Sequence, residues 1–350
     1  MDMYYWKCPV CSSPIDLEYP VNWLPRGYGV ARYNSLLPVY VEPVYGEGET
    51  PLVSREYNGL KVFFKLEYLN PSGSFKDRGT VVALTYAKRL GYTCVVEDTS
   101  GNTGISIALY AKALGLHPII VVPEYIPVGK KKLLELYGAE IVYASDRSKA
   151  ALKALEVLSQ NPKRFYAAHT WSPFYIEGYK TIAYELYEQG FRRGMVVAPI
   201  GSGGLYLGLY RGFRDLYNLG LIEEIPFLLG VQGASVQPVY KMIYNRVVKG
   251  ESYLADGLMV ENPPRLEEIA SIVKEYGDVV VVDNDEIVDS LKWLVRNGFI
   301  VEPTSAATLA GLKKYASMKK IRISGEVCVL LTGSGLKMLE DIYVLVKTRH

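Results

Sequence analysis

Short turns rich in glycine and serine recur along this chain, each directly after an apolar run that is typical of a β-strand. The four turns lie at residues 70–79, 98–104, 199–205 and 331–337. The first three also precede runs with the apolar spacing of a helix. Repetition of strand, small-residue turn and helix predicts parallel sheets whose functional turns line the carboxyl ends of the strands.

The same alternation extends over most of the chain. Strand-like runs occur at residues 62–67, 94–97, 118–122, 140–143, 165–168, 195–200, 227–231, 278–282 and 326–331. Runs with helical periodicity, such as residues 130–137 and 149–158, lie between them. The prediction is an α/β fold of open, mostly parallel sheets flanked by helices, in which the strands between residues 94 and 168 can form a small sheet of their own.

Lys76 lies in the first turn, within Gly-Ser-Phe-Lys-Asp-Arg-Gly at residues 73–79. A lysine at the mouth of such a turn can hold a phosphate, or it can be a nucleophilic amine that forms a Schiff base. The nucleotide P-loop pattern is absent, which argues against ATP chemistry. The plain alternative is an exposed lysine at the start of a helix.

Two further turns have the composition of anion-binding sites. Asp-Thr-Ser-Gly-Asn-Thr-Gly at residues 98–104 directs backbone amides and hydroxyls toward a helix start. Pro-Ile-Gly-Ser-Gly-Gly-Leu at residues 199–205 has small residues that let amides close around a phosphate. One such turn is weak evidence, because glycines between a strand and a helix are common, but the four in this order are strong evidence together.

The overall composition excludes several kinds of partner. The formal charge is +2, with 39 basic and 37 acidic residues interspersed, so there is no electrostatic footprint for nucleic acid. No apolar run approaches the roughly 18 residues of a membrane span. No signal-peptide pattern follows Met1. A soluble, cytoplasmic protein without membrane partners is the expectation.

The segments above resemble the fold-type-II pyridoxal phosphate enzymes, a family that includes threonine synthase, threonine dehydratase, cysteine synthase and the β subunit of tryptophan synthase. The resemblance covers about residues 46–337 and is strongest to threonine synthase and its relatives. It rests on Gly-Glu-Gly-Glu-Thr-Pro-Leu at 46–52, the Lys76 turn, Ser-Gly-Asn-Thr-Gly at 100–104, Glu-Pro-Thr-Ser-Ala-Ala at 302–307 and Thr-Gly-Ser-Gly-Leu-Lys at 332–337.

The resemblance implies pyridoxal 5'-phosphate as cofactor and gives each turn a role. Lys76 would be the Schiff-base lysine that also moves the substrate α-proton. Asn102 would hold the ring hydroxyl, and Thr332 would face the pyridine nitrogen. A neutral hydroxyl cannot enforce protonation of that nitrogen, which favours elimination or replacement over transamination. The implied phosphate cup is Gly201, Ser202, Gly203, Gly204 and Leu205, and the implied carboxylate-binding residues are Thr99, Ser100 and Thr103.

The resemblance also implies two domains and a homodimer. Residues 1–79 and 181–350 would form a large cofactor-binding domain, and residues 80–180 a small mobile one. Cys8 and Cys11 resemble half of the zinc ribbon of some threonine synthase relatives, but they supply only two of the four ligands of a closed zinc site. We therefore predict no metal and interpret residues 1–20 as a remnant cysteine knuckle.

One segment departs from threonine synthase, where Asn-Ser-x-Asn-Pro-x-Arg-x-x-Gly-Gln-Lys-Thr helps to hold the substrate phosphate. In the matching segment, residues 169–181, His169 stands in place of the first asparagine and Tyr175 in place of the arginine. A neutral phenol cannot supply the bidentate cationic contact of an arginine. His169 and Thr170 are then the candidates for the phosphate contact.

Three hypotheses follow from the cofactor residues and this departure. The first is a threonine synthase-type lyase that converts O-phospho-L-homoserine and water into L-threonine and phosphate. The second is β-elimination or β-replacement on serine, threonine or a serine ester, favoured by Tyr175, by the dehydratase-like cup and by Ala-Asp-Gly at 255–257. The third is a cofactor-holding amino-acid sensor without turnover, which the complete set of cofactor residues disfavours.

Overall fold

The computed structural model describes residues 4–99, 101–124, 126–319 and 325–347. None of the helices in these ranges is long and apolar enough to cross a membrane. The strands are β1 (Leu52–Tyr57), β2 (Leu60–Lys65), β3 (Cys94–Asp98), β4 (His117–Pro123), β5 (Glu140–Ala144), β6 (Arg164–Tyr166), β7 (Met195–Pro199), β8 (Phe227–Gly233), β9 (Gly277–Val282) and β10 (Val327–Leu330).

The α-helices alternate with these strands, as predicted. They are α1 (Lys76–Arg89), α2 (Asn102–Leu114), α3 (Val128–Leu136), α4 (Arg147–Ser159), α5 (Pro173–Glu188), α6 (Gly204–Asn218), α7 (Pro238–Tyr244), α8 (Leu266–Tyr276), α9 (Asn284–Arg296), α10 (Pro303–Lys319) and α11 (Leu339–Lys347). Short 3₁₀ helices occupy Val30–Leu36, Glu67–Leu69, Asp256–Leu258 and Gly335–Met338.

The chain divides into two compact units, each built around one sheet. The first unit is Met1–Glu49 with Asn70–Tyr179, and the second is Thr50–Leu69 with Lys180–His350. The prediction placed residues 1–79 with the larger sheet, whereas this division groups residues 1–49 and 70–79 with the smaller one. The reason is apolar packing, because side chains such as Val30 belong to the same buried cluster as those of α1 and β4.

The first unit contains a sheet of the described strands β5, β4, β3 and β6, in that spatial order. All neighbours pair in parallel, and Val96 of β3 aligns with Ile119 on one side and Tyr166 on the other. The seven residues of β4 are apolar apart from the first, and all but that residue are buried, as expected for a strand covered on both faces. The carboxyl ends of β3 and β6 are therefore neighbours at one edge.

The second unit contains a sheet with the order β1, β2, β10, β7, β8 and β9 among the described strands. β1 and β2 form an antiparallel hairpin, and the turn residues Asn58 and Gly59 both have positive φ, as a two-residue hairpin turn requires. The remaining neighbours are parallel, with β10 beside β7. The turns that follow β7 and β10 thus lie at the same edge of this sheet.

In the first unit, α1 and α5 approach closely at two glycines. A Cβ at Gly178 would lie 2.2 Å from the carbonyl oxygen of Arg78, and a Cβ at Gly79 would lie 2.5 Å from Cδ1 of Tyr175. Both positions require glycine, since the neighbouring atoms belong to backbone or to a buried ring. This contact holds the first turn of α1, which begins at Lys76, against the buried rings of α5.

The cysteines of the described residues are all reduced. Cys11 is exposed and Cys8 partly buried, whereas Cys94 and Cys328 are buried. Cys11 Sγ lies 3.3 Å from Ser13 Oγ, and hydrogen bonds from the Ser13 hydroxyl and backbone to the thiolate lower the pKa of Cys11 to about 7. Within the described residues no three metal-ligating side chains come together.

Candidate active site

Lys76 is the first residue of α1, one turn earlier than the sequence periodicity placed the helix. The turn before it is anchored by Asp77, whose carboxylate accepts the backbone N–H of Ser72 at 2.7 Å and the Ser106 hydroxyl at 2.6 Å. Lys76 Nζ lies 4.8 Å from the centre of the Phe75 ring. Burial lowers the pKa of Lys76 to about 8, with the nearby Glu97 carboxyl acting in the opposite direction.

This environment favours a neutral amine at Lys76. An ammonium group is stabilised by water, and apolar rings replace water here, so the neutral nucleophilic form becomes accessible near neutral pH. The alternative of an exposed lysine at a helix start does not describe this residue, which is partly buried.

Glu97, near the carboxyl end of β3, is a second buried ionisable group in this unit, with 1% of its surface exposed. Its Oε1 lies 2.6 Å from His169 Nδ1, and its Oε2 accepts the backbone N–H of His169 at 3.3 Å. Burial raises the pKa of Glu97 to about 8, while the backbone N–H of His169 and the charge of Lys76 oppose that rise. Glu97 lies within an apolar strand run, and no role was predicted for it.

The turn after β3 contains the predicted carboxylate-binding residues. Thr99 Oγ1 accepts the N–H of Gly101 at 3.2 Å, so its hydroxyl supports the turn itself. Asn102 is the first residue of α2 and Thr103 is buried within it. Ser100, the other predicted residue of this turn, lies outside the described residues.

A buried lysine that the sequence analysis did not consider lies against the same turn. Lys130, on α3, is 1% exposed. A Cβ at Gly101 would lie 3.1 Å from Lys130 Nζ. A side chain at this position would therefore require the Lys130 amine to shift by a few tenths of an ångström.

The segment that departs from threonine synthase continues from β6 into α5. The His169 side chain is 16% exposed, and Thr170 is partly exposed. The Tyr175 side chain is fully buried, with its ring centre 6.2 Å from that of His169. Tyr175 thus lies in the apolar interior of the first unit beside Gly79 and brings no charge there.

In the second unit, the predicted phosphate cup forms the turn between β7 and α6. Gly203 is the residue before the helix and has φ of +87°, a conformation that glycine adopts without strain. A Cβ there would lie 2.0 Å from Ile269 Cδ1, and one at Gly201 would lie 2.2 Å from the Gly257 carbonyl oxygen. The first amides of α6 lack intrahelical acceptors by geometry, which makes this helix start suitable for an anion.

Thr332 follows β10 at the same sheet edge and is 3% exposed. Its Oγ1 lies 3.2 Å from Ser305 Oγ, and Ser305 Oγ also accepts the N–H of Gly333 at 2.9 Å. Ser305 belongs to the segment 302–307 that carried part of the family resemblance, but no role was predicted for it. The two hydroxyls form a neutral hydrogen-bonding pair.

The residues present fit pyridoxal phosphate. The first unit supplies a desolvated amine at Lys76 and a side-chain amide at Asn102. The second supplies a helix start whose glycines admit no Cβ, and a buried hydroxyl pair at Thr332. In the first unit, an amine suits an aldehyde and an amide suits a ring hydroxyl. In the second unit, a helix start suits a phosphate and a hydroxyl suits a pyridine nitrogen.

Comparison with known proteins agrees with this chemistry. The model of the family described as pyridoxal-phosphate dependent enzyme matches residues 44–333. Threonine synthase of Methanocaldococcus jannaschii is 32% identical over 89% of this chain and 81% of its own. Threonine synthase of Methanosarcina acetivorans is 30% identical over 96% of this chain and 89% of its own.

A solved structure is similar as well. The O-acetylserine dependent cystathionine beta-synthase from Helicobacter pylori has a TM-score of 0.71 and 25% identity, covering 84% of this chain and 95% of that chain. The chain therefore belongs to the family of pyridoxal-phosphate dependent enzymes, with the fold of type II. Within that family it is a lyase that depends on pyridoxal phosphate, as predicted.

Proposed function

We propose that this lyase converts O-phospho-L-homoserine and water into L-threonine and phosphate. The observation that carries the proposal is the position of Lys76 at the start of α1, where its amine lies beside the Phe75 and Tyr179 rings and burial lowers its pKa to about 8. A base with a pKa near the working pH is suited to repeated proton transfer at carbon. Similarity to curated threonine synthases over nearly the whole chain supports this substrate.

Each predicted cofactor residue has a role in the proposal. Lys76 attaches the cofactor aldehyde, Asn102 donates to its ring hydroxyl, residues 201–205 bind its phosphate and Thr332 faces its pyridine nitrogen. When bound, pyridoxal phosphate withdraws electrons from the substrate and makes the hydrogens near its amino group acidic. The neutral Thr332–Ser305 pair suits elimination better than transamination, because no carboxylate holds a proton on the pyridine nitrogen.

The substrate residues belong to the first unit. Lys76 removes the α-proton and then one β-proton, and Thr99, Ser100 and Thr103 are assigned to the substrate carboxylate. His169 and Thr170 are assigned to the substrate phosphate, since the family's arginine is replaced by Tyr175. A direct test incubates the cofactor-loaded protein with O-phospho-L-homoserine and measures phosphate and threonine. Absence of both would overturn the proposal.

A second candidate function is favoured by Tyr175. This side chain is fully buried and uncharged at the position where a cation would bind the substrate phosphate. Loss of a charged hydrogen bond of that kind costs about 1.5–3 kcal/mol of binding. The alternative is β-elimination or β-replacement on serine, threonine or a serine ester, which would give pyruvate or 2-oxobutyrate from the free amino acids.

The proposal includes a cytoplasmic homodimer. The first described residues of the chain pack in the first unit, with Tyr4 4.2 Å from Phe165 between ring centres. Light scattering on the purified protein measures the mass directly. A mass near 39.1 kDa, the value for one chain, would contradict the dimer.

A further inference from the structure

The Glu97–His169 pair has a geometry that a structural ion pair does not require. Both carboxylate oxygens of Glu97 are directed at His169, one at the ring Nδ1 and one at the backbone N–H, at 2.6 and 3.3 Å. The carboxyl is 1% exposed, whereas the imidazole is 16% exposed. Glu97 therefore fixes the orientation of the imidazole ring from its buried side. Because Nδ1 contacts Glu97, Nε2 is the ring nitrogen that exchanges protons with another group.

The backbone before His169 is strained. Ala168 has φ of +45°, in the left-handed region that residues with a Cβ rarely adopt. Its carbonyl oxygen accepts the N–H of Trp171 and of Ser172, each at 2.8 Å, which holds the turn in this conformation. Strain of this kind persists where surrounding contacts enforce it, and it is concentrated at functional sites.

The pair shares its surroundings with the catalytic lysine. Lys76 and Glu97 act on each other electrostatically, although no ion pair joins them. The Tyr179 side chain is 1% exposed, its ring centre is 5.8 Å from Lys76 Nζ, and its hydroxyl has no hydrogen-bond partner within the described residues. A buried, unpartnered phenol indicates a polar region completed by a bound molecule. The other titratable groups that face Glu97 are Tyr4, Asp98, Tyr166 and Tyr175.

We propose that His169, positioned by Glu97, is a second catalytic acid–base residue that acts at the leaving group while Lys76 acts at the carbon atoms. This inference rests on the proposed function, because it assigns the proton transfers of that reaction. Two buried groups that share a proton titrate as one dyad. The strained turn at Ala168 and the two bonds from Glu97 hold the imidazole in one orientation for this purpose.

Lys76 removes the α-proton first and releases it before it takes the β-proton, and a proton is restored to the α carbon at the end. The remaining steps balance with one proton carried by each base. Lys76 takes a β-proton, the electron pair of that bond joins the β and γ carbons, and the bond from the γ carbon to oxygen breaks. His169 Nε2 gives its proton to the departing oxygen, so phosphate leaves as the hydrogen phosphate dianion. Water then bonds to the β carbon and gives a proton to Nε2, while Lys76 gives its proton to the γ carbon. Both bases return to their initial state.

A purely structural pair predicts different behaviour. If Glu97 and His169 only stabilised the fold, a neutral isostere would change stability and leave the chemistry of the folded enzyme unchanged. If His169 only held the substrate phosphate, its replacement would raise KM with little change in kcat. A proton-transferring residue instead lowers kcat by about 10²–10⁴-fold.

The chain offers a matched control for the experiment. His117 and Glu140 form a second His–Glu pair at 3.0 Å, in the same unit, with side chains 55% and 54% exposed. Glu97→Gln and His169→Asn are compared with Glu140→Gln and His117→Asn in the holoenzyme. Steady-state kinetics with O-phospho-L-homoserine gives kcat and KM across pH for each variant.

A second readout does not depend on activity. The sequence has three histidines, so their imidazole nitrogens can be assigned by NMR of ¹⁵N-labelled protein with the two histidine variants. We expect Glu97→Gln to change the ¹⁵N signals of the His169 ring, because the carboxyl that contacts Nδ1 and selects the tautomer is replaced by an amide. Glu140→Gln should leave the ¹⁵N signals of the His169 ring as they are in the parent.

The outcomes separate this inference from the proposed function. A fall in kcat of about 100-fold or more in Glu97→Gln and His169→Asn, with KM nearly constant and both controls fully active, supports the acid–base role. Unchanged kcat in the two variants, or unchanged ¹⁵N signals of the His169 ring in Glu97→Gln, overturns it. A parent enzyme that releases no phosphate would instead contradict the proposed function, whatever the NMR result.

Discussion

Burial determines the chemistry of individual residues in this protein. The Lys76 amine and the Glu97 carboxyl both lie where protein replaces water, and desolvation moves their pKa values toward each other, to about 8 in each case. A base and an acid that titrate near neutral pH are rare on a protein surface, and they indicate a site that transfers protons.

Replacement of Lys76 tests the assignment of the amine. Lys76→Ala removes the only group proposed to bond the cofactor aldehyde, so the visible absorption of the holoenzyme should disappear on dialysis. Activity should fall by about 10³-fold or more, because the base is lost as well. Absorption spectra and phosphate release measure the two effects. A variant that keeps the parent's dialysis-resistant band would show that another amine holds the cofactor.

Glu97 gives a prediction for stability. Its pKa is 4.5 in an unfolded chain and about 8 in the fold, so the folded state binds the proton more tightly between these values. The stabilising contribution of Glu97 to the free energy of unfolding is therefore complete below pH 4.5 and is lost as the pH rises through about 8. Glu97→Gln should flatten this dependence and be more stable than the parent at pH 8, by about 1–3 kcal/mol.

Urea unfolding of both proteins at several pH values measures that difference. Glu140→Gln, at the exposed pair, is the control and should follow the parent closely. A Glu97→Gln variant that is less stable than the parent at every pH would indicate that the Glu97 carboxylate stabilises the folded state. Gain of stability with loss of activity is the pattern expected of a functional residue.

Thiol reactivity is a further residue-scale prediction. Hydrogen bonding to Ser13 lowers the pKa of exposed Cys11 to about 7, whereas burial raises the pKa of Cys328 to about 12 and that of Cys94 above its usual value. At neutral pH, iodoacetamide should modify Cys11 first, because the thiolate is the reactive form. Mass spectrometry after digestion gives the order. Early labelling of Cys328 would contradict it.

At the scale of elements, the start of α6 gives a controlled comparison. Gly203 and Gly220 lie at the two ends of this helix and both have positive φ, +87° and +70°. A Cβ at Gly203 would meet Ile269, whereas nothing lies within 4 Å of a Cβ at Gly220. Gly220→Ala should therefore cost about 1 kcal/mol from backbone conformation alone, and Gly203→Ala about 2–4 kcal/mol.

The same pair tests the phosphate cup. Gly203→Ala should also weaken pyridoxal phosphate binding by about tenfold or more, because the turn must shift where the amides face the phosphate. Gly220→Ala should bind the cofactor like the parent. Fluorescence titration of the apoproteins measures both affinities. Equal affinities in the two variants would contradict the assignment of residues 201–205 to the cofactor phosphate.

The elements themselves were largely predictable from the sequence. Parallel strands such as β4 and β7 are buried on both faces, so they are visible as short uninterrupted apolar runs. β1 was not predicted, because Leu-Val-Ser-Arg-Glu-Tyr at a sheet edge is only partly buried and has no such run. α1 begins at Lys76, one turn before the run of helical apolar spacing. Its first turn contains Asp77, a polar residue that hydrogen bonds allow to be buried, and an apolar pattern does not reveal such a residue.

Contacts between distant segments were the part that the sequence could not supply. Glu97 lies in an apolar strand run and His169 in a turn 72 residues away, and their pairing depends on β3 and β6 being neighbours. The hydrogen-bonded pair of Thr332 and Ser305 likewise joins two segments that are distant in the sequence. Local composition identifies the turns that carry chemistry, but the partner of each side chain follows from strand order.

At the scale of the whole molecule, the cofactor should stabilise the fold. Pyridoxal phosphate binds the folded state only, so a concentration of about 100 times its Kd should add about 2.7 kcal/mol. Removal of the cofactor should therefore lower Tm, and its return should restore the parent value. Differential scanning fluorimetry of holo and apo protein measures the change. An equal Tm in both forms would contradict binding to a preformed site.

In the proposed reaction, water adds to the β carbon after phosphate leaves from the γ carbon. The most direct test is the reaction of the holoenzyme with O-phospho-L-homoserine in H₂¹⁸O, with mass spectrometry of both products. We predict one ¹⁸O in the threonine hydroxyl and none in the phosphate. Phosphate that carries ¹⁸O, with homoserine in place of threonine, would mean hydrolysis of the ester and would contradict the claim.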